Sequence, residues 1–175
     1  MALLDILTYP DPRLKQVSQP VQVFDDALRA FVADLEETMR AGPGGVGIAA
    51  PQVGRFERIV IVDISAMRKL PKGSSNSGRL LLINPEITEW EGMVMGREGC
   101  MSVPDYTGNV IRAEKISFTA CDEFGASREY CCEGFEARAV QHEVDHLDGM
   151  LFLDRLVSRR SDLFRRKVYK KKDEK

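Results

Sequence analysis

The sequence predicts an α+β protein: small, mostly antiparallel sheets around a central helix that bears an HExxH segment, with flanking helices at the N- and C-terminal ends. Three observations carry this expectation. Apolar residues recur at helical spacing in three separate segments. Short β-branched or alternating runs lie between them, and two of these runs are joined by a turn-forming Asp-Glu-Phe-Gly sequence. A chain of 175 residues, 43% apolar and 30% charged with mean hydropathy −0.24, has room for one principal core and the composition to fold around it.

A first amphipathic helix is predicted over residues 25–41. Leu28, Phe31, Val32, Leu35 and Met39 form its apolar stripe, and Asp25 or Asp26 is placed to cap it. Gly42, Pro43, Gly44 and Gly45 must stop it, because proline lacks the amide hydrogen and glycine favours angles outside the helix. A tight loop follows through Gly47. Residues 58–63 read as a buried strand, residues 69–78 as a polar Gly/Ser/Asn loop, and residues 80–83 and 87–91 as further strands. In 115–121, Ile116, Phe118 and Ala120 alternate with polar residues, and 122–125 make a hairpin turn.

Residues 133–147 read as the next helix, with Phe135, Ala139, His142 and His146 on one stripe and Gly149 closing it. A last helix is expected over residues 154–169, with Leu156, Leu163 and Val168 turned inward. There is no repeat and no linker, so 1–154 read as a single catalytic domain and 155–175 as a basic C-terminal helix and tail.

Composition also excludes function classes. No apolar run approaches the roughly 20 residues of a membrane span, and Asp5 interrupts the start before a signal-peptide core could form. Cysteines at 100, 121, 131 and 132 have no CxxC spacing and no disulfide pattern, which suits a reducing, cytoplasmic compartment. Neither a membrane nor DNA is an expected partner. The net charge of −2 is unevenly spread, since residues 155–175 carry ten Lys or Arg against three Asp or Glu. That tail is near +7 and the body near −9, so an acidic partner for the tail competes with the plainer reading of a solvated end.

The chemistry concentrates at His142-Glu143-Val144-Asp145-His146. Spacing i, i+4 on a helix puts both imidazoles on one face, about a turn apart, where they can hold one metal ion; Glu143 beside them can act as general base on water. Chance occurrence is the bland alternative. Against it, the chain has two histidines and both lie here. A catalytic site usually has a third protein ligand, and it cannot be histidine. Asp148 and Asp154 are downstream candidates, yet Asp148 follows His146 by two residues and points to another side. Among upstream thiolates, Cys121, Cys131 and Cys132 read as small buried hydrophobes at strand positions. Cys100, in a loop containing Gly96 and Gly99, is favoured, and composition alone does not single it out.

Three blocks of this chain resemble the peptide deformylases: Gly45-Val46-Gly47-Ile48-Ala49-Ala50-Pro51-Gln52, then Glu98-Gly99-Cys100-Met101-Ser102, then Gln141 to His146. The likeness runs from Tyr9-Pro10-Asp11-Pro12 to Leu153 and fades in the tail; Met101 stands where leucine is common. What it implies is removal of the N-formyl group from the N-terminal formyl-methionine of newly synthesised proteins, releasing formate. Cys100, His142 and His146 would be the metal ligands, and Glu143 the catalytic acid and base. The Gln52 side chain and the Met101 backbone amide would donate to the oxyanion. Val46, Gly47, Phe135 and Ala139 are candidates for the methionine slot, with core packing as their plain alternative. Glu98 and Arg138 can form an ion pair bracing the ligand loop against the helix. Thiolate plus two imidazoles suits Zn2+, Ni2+, Co2+ or Fe2+, and the resemblance favours Fe2+. It also suggests ribosome docking through Arg159, Arg160, Arg165, Arg166, Lys167 and Lys170–Lys172. A zincin-like endopeptidase, a Cys100 thiol hydrolase and a protein with a structural metal are the competing readings.

Overall fold

The computed structural model describes residues 2–166. Its first helix, α1 (Asp26–Ala41), begins where Asp25 accepts a hydrogen bond from the Leu28 amide at 2.9 Å, and it ends at Gly42. Leu28, Val32, Leu35 and Met39 are buried on one face. They meet Ile48, Ile59, Ile61, Leu81 and Ile83 of a five-stranded antiparallel sheet. That sheet runs β1 (Gly47–Ala49), β2 (Ile59–Val62), β3 (Leu80–Glu91), β6 (Lys115–Cys121) and β7 (Ser127–Glu133), in that spatial order.

Helix α2 (Phe135–Leu147) covers the opposite face of the sheet: Ala137, Val140 and Leu147 pack with Val60, Val62, Leu82, Ile116 and Phe118. Strand side chains alternate, so Ile59 and Ile61 face α1 while Val60 and Val62 face α2. Helices on both sides explain why β2 is apolar at every position instead of alternating. Each such fully buried side chain contributes about 1.5–3 kcal/mol.

A second sheet, of three strands, positions the site. It consists of β4 (Val94–Cys100), β5 (Val103–Arg112) and β8 (Leu163–Arg165), in the order β4-β5-β8. The loop expected around Cys100 is instead the end of β4, turning sharply through Met101 and Ser102 into β5. Its glycines obscured the strand. Gly108 of β5 shows what such glycines do: a Cβ at that position would stand 2.7 Å from Leu156 Cδ2 and 3.0 Å from Phe152 Cε2, so the apolar cluster of Leu14, Val103, Val110, Leu151 and Phe152 needs the missing side chain.

Two further differences have local causes. Residues 80–91 form one strand, not two, because Asn84 adopts φ +52° and bonds both polar groups of the Val21 backbone while the ladder resumes beyond Pro85. Of the helix expected over 154–169, the described residues form only a 3-10 turn (Phe152–Arg155) and the four-residue α3 (Arg159–Asp162), and 167–169 lie outside them. Leu163–Arg165 then pair with Tyr106, Thr107 and Gly108, since the open edge of β5 offers backbone partners that a helix would leave unused. Leu156 and Leu163 do pack on the body, and Val168 lies outside the described residues. Cys131 is exposed, contrary to expectation, because it faces outward on β7 while Cys132 faces the core. Among the described residues no helix is long and apolar enough to cross a membrane.

Candidate metal centre

Helix α2 carries His142 and His146 one turn apart, with ring centroids 5.1 Å apart and edge-on. The end of β4 brings Cys100 across to them. Its Sγ lies 3.4 Å from His146 Nε2, and the donor atoms of Cys100, His142 and His146 all fall within 4.8 Å of one another. All three residues are buried. Bond lengths of about 2.3 Å to sulfur and 2.1 Å to nitrogen place tetrahedral S and N donors roughly 3.6 Å apart, so the Cys100–His146 spacing fits a shared first-row cation.

Behind the donors lies a charged network that sequence reasoning captured only in part. The Glu98–Arg138 pair is present, with Arg138 Nη1 donating to Glu98 Oε2 at 2.7 Å. Arg112 also grips both Glu98 oxygens at 2.9 Å and donates to Asp145 Oδ2 at 2.6 Å. Arg155 adds a second guanidinium to Asp145. Burial on its own would raise the Glu98 pKa, but hydrogen bonds from Arg112 and His142 hold it far below the usual carboxylate range. Arg112 is correspondingly pushed up against the cost of its burial. Glu98 Oε1 lies 2.8 Å from His142 Nδ1. A Nδ1–H donated there fixes the ring and leaves Nε2 free for a cation. Burial lowers the His146 pKa, which keeps that imidazole neutral and able to ligate.

Glu143 is buried beside the donors. Burial raises its pKa to about 7, and its Oε2 has no hydrogen-bond partner among the described residues. An orphaned carboxylate oxygen beside three ligating atoms is suited to hold a reacting water. Gly47 makes this approach feasible, because a Cβ there would stand 2.7 Å from Glu143 Oε1.

Gln52 is buried on a short 3-10 helix (Ala50–Val53), not a surface residue. Its Oε1 accepts from the Ala49 amide at 2.9 Å, and its Nε2 donates to Ser102 Oγ at 3.0 Å and reaches Cys100 Sγ at 3.5 Å. The N-terminal segment braces both sides, with the Leu7 amide on Gln52 O and the Tyr9 amide on Ser102 O, each at 2.7 Å. A cleft of about 270 Å³ opens onto the donors. Val46, Gly47, Gln52, Met101, Phe135 and Ala139 all line it, together with Cys100, His142 and Glu143. Ser102, Arg112 and Asp145 were missed. The positions of Asp145 inside HExxH and of Ser102 at the end of the Glu98–Ser102 block were hints, whereas the contacts of Arg112 are set by strand register and had none.

The sequence pattern of the polypeptide deformylase family matches residues 3–162. The peptide deformylase of Alkalilimnicola ehrlichii is 46% identical over 170 residues, 97% of this chain and 91% of that protein. Among solved structures, a peptide deformylase of Ehrlichia chaffeensis in complex with actinonin superposes with TM-score 0.83 at 36% identity, covering 91% of this chain and 92% of that one. A class I type b peptide deformylase of Acinetobacter baumannii with Met-Ala-Ser bound gives TM-score 0.80 at 37% identity, covering 88% and 98%.

Proposed function

The chain belongs to the polypeptide deformylase family, and from that premise we propose that it hydrolyses the N-formyl group of N-terminal formyl-methionine on newly synthesised proteins, releasing formate, with one divalent cation held by Cys100, His142 and His146. The observation that carries this reading is the buried donor triad beside the unpartnered Glu143 oxygen. Thiolate and imidazoles suit Fe2+, which we take as the ion, and equally Zn2+, Ni2+ or Co2+. A cation there supplies Lewis acidity, lowering the pKa of water and stabilising negative charge.

Glu143 takes a proton from the attacking water as its oxygen bonds to the formyl carbon, and returns that proton to the amine as the C–N bond breaks. Gln52 Nε2 and the Met101 backbone amide are assigned to the charge that develops on the formyl oxygen. The methionine side chain is assigned to Val46, Gly47, Phe135 and Ala139, where α2 and the glycine-rich loop form an apolar wall. An endopeptidase reading needs a downstream ligand, and neither candidate approaches the donors: Asp148 pairs with Arg58 at 3.0 Å and Asp154 accepts from the Leu151 amide at 2.9 Å.

Incubation with formyl-Met-Ala-Ser is expected to yield formate and free Met-Ala-Ser, with no cleavage of an unformylated peptide of the same length. Internal cleavage instead would restore the endopeptidase reading. Replacement Gln52→Leu should lower kcat about a hundredfold to a thousandfold, as loss of one oxyanion donor does elsewhere. An unchanged kcat would remove Gln52 from that role. We take the cytoplasm as its compartment, because newly synthesised formylated chains are made there. Ribosome docking rests on a tail whose residues beyond Arg166 lie outside the described ones; Arg159, Arg160 and Arg165 are exposed, whereas Arg166 is half-buried at the cleft.

A further inference from the structure

We propose that Arg97 and Arg166 form a cationic rim on the cleft that favours formylated chains with acidic residues just after the methionine. This rests on the deformylase reading and names a substrate class within it. Side chains alternate along β4, so Glu98 and Cys100 face the buried donors while Arg97 and Gly99 face the other way. Arg97 stands three residues before Cys100. At about 3.3 Å per residue their backbones are about 10 Å apart, the length of about three extended residues of a peptide leaving the donor site.

Arg166 arrives from a different part of the chain. Strand β8 pairs with β5, the Arg166 amide donates to Asp105 O at 2.8 Å, and the side chain is thereby brought across Gly99. A Cβ at Gly99 would stand 2.7 Å from Arg166 Nη2, so the glycine makes the space that the guanidinium occupies. The Arg97 guanidinium lies 3.7 Å from the centroid of the Phe164 ring, also on β8, and donates to Asn109 Oδ1 at 3.0 Å. Both arginines line the cleft.

Among the described residues neither arginine is paired with a carboxylate. Of the other charged groups lining the cleft, Glu98 is engaged by Arg138 and Arg112, and Glu143 is buried beside the donors. Arg97 bonds the neutral side chains of Asn109 and Thr107, and the buried Nε of Arg166 has no partner among the described residues. Two guanidiniums held by stacking and by a strand, with no carboxylate partner among the described residues, present a fixed donor array that matches a carboxylate bidentately. A lysine in the same place on the substrate would meet like charge.

The test uses the full metal-loaded chain and three amide-blocked peptides, formyl-Met-Glu-Glu, formyl-Met-Gln-Gln and formyl-Met-Lys-Lys, so that no terminal carboxylate confuses the reading. At low salt kcat/KM for the Glu peptide should exceed that for the Lys peptide about tenfold, mainly through KM, with the Gln peptide between. The preference should shrink as ionic strength rises. The double variant Arg97→Gln/Arg166→Gln should bring the ratio close to one, and Arg166→Lys should retain most of it; metal content and melting temperature check that each variant is folded. A parental ratio near one, or a ratio that survives in the double variant, would overturn the rim. Failure of the parent on all three peptides would instead strike at the deformylase reading.

Discussion

Replacing Glu143 by glutamine is expected to leave one metal ion per chain and to lower kcat on formyl-Met-Ala-Ser about a hundredfold to ten-thousandfold, the range over which a positioned acid and base contributes. Glutamine keeps the volume that Gly47 makes room for and keeps the hydrogen-bonding shape, but it cannot accept and return a proton. The parent's rate should also fall on the acid side as Glu143 becomes protonated. Burial, partly offset by the charges of His142 and Arg112, raises its pKa to about 7, and a nearby cation would lower it, so the acid limb lies at or below that value. The variant's residual rate should show no such limb. A variant within tenfold of the parent would move the proton transfer to another group.

Arg112→Leu is the largest expected effect on stability, at about 3–5 kcal/mol, because it leaves buried Glu98 and Asp145 without their shared guanidinium. For a chain of this size that is roughly a 6–20 °C fall in melting temperature. The double change Arg112→Leu/Glu98→Gln should recover part of the loss, since a neutral side chain costs less to leave unpaired. The same pair makes a pH prediction. Glu98 has a depressed folded pKa, so its contribution is present above its ordinary value of 4.5 and is lost as pH falls below it. A thermal-melt series in acid should therefore drop more steeply for the parent than for Glu98→Gln. Equal melting temperatures for parent and Arg112→Leu would show the network to be dispensable.

What the sequence made legible follows physical range. Helices α1 and α2 announced themselves because their stripes and caps are local: Asp25, Leu28, Val32, Leu35 and Met39 lie within four turns. His142 and His146 were readable for the same reason. Strands β4 and β5 were not, because Gly96, Gly99 and Gly108 answer to distant side chains, Arg138, Arg166 and Leu156, that no local pattern reveals. The C-terminal segment up to Arg166 departs from its expected helix for a similar reason. Residues 154–169 have helical periodicity, yet the free edge of β5 captures Leu163–Arg165 and redirects Arg166 from the expected basic tail to the cleft. Cys100 was favoured for the wrong local reason, a glycine loop, where the structure supplies a strand end. The family likeness, not spacing, assigned Gln52, whose burial and bond to Ser102 depend on a fold-level contact.

The most direct test of the central claim is a titration of metal-free protein with Fe2+ under anaerobic conditions, following formate released from formyl-Met-Ala-Ser at each addition. Activity should rise linearly and break at one ion per chain in the parent and in Cys132→Ala. In Cys100→Ala no break should appear, because the loss of the thiolate leaves the His142 and His146 donors with too little affinity to fill the site. Full activity before any metal is added, or a sharp break at one ion in Cys100→Ala, would contradict the assignment of Cys100, His142 and His146 as the catalytic metal site.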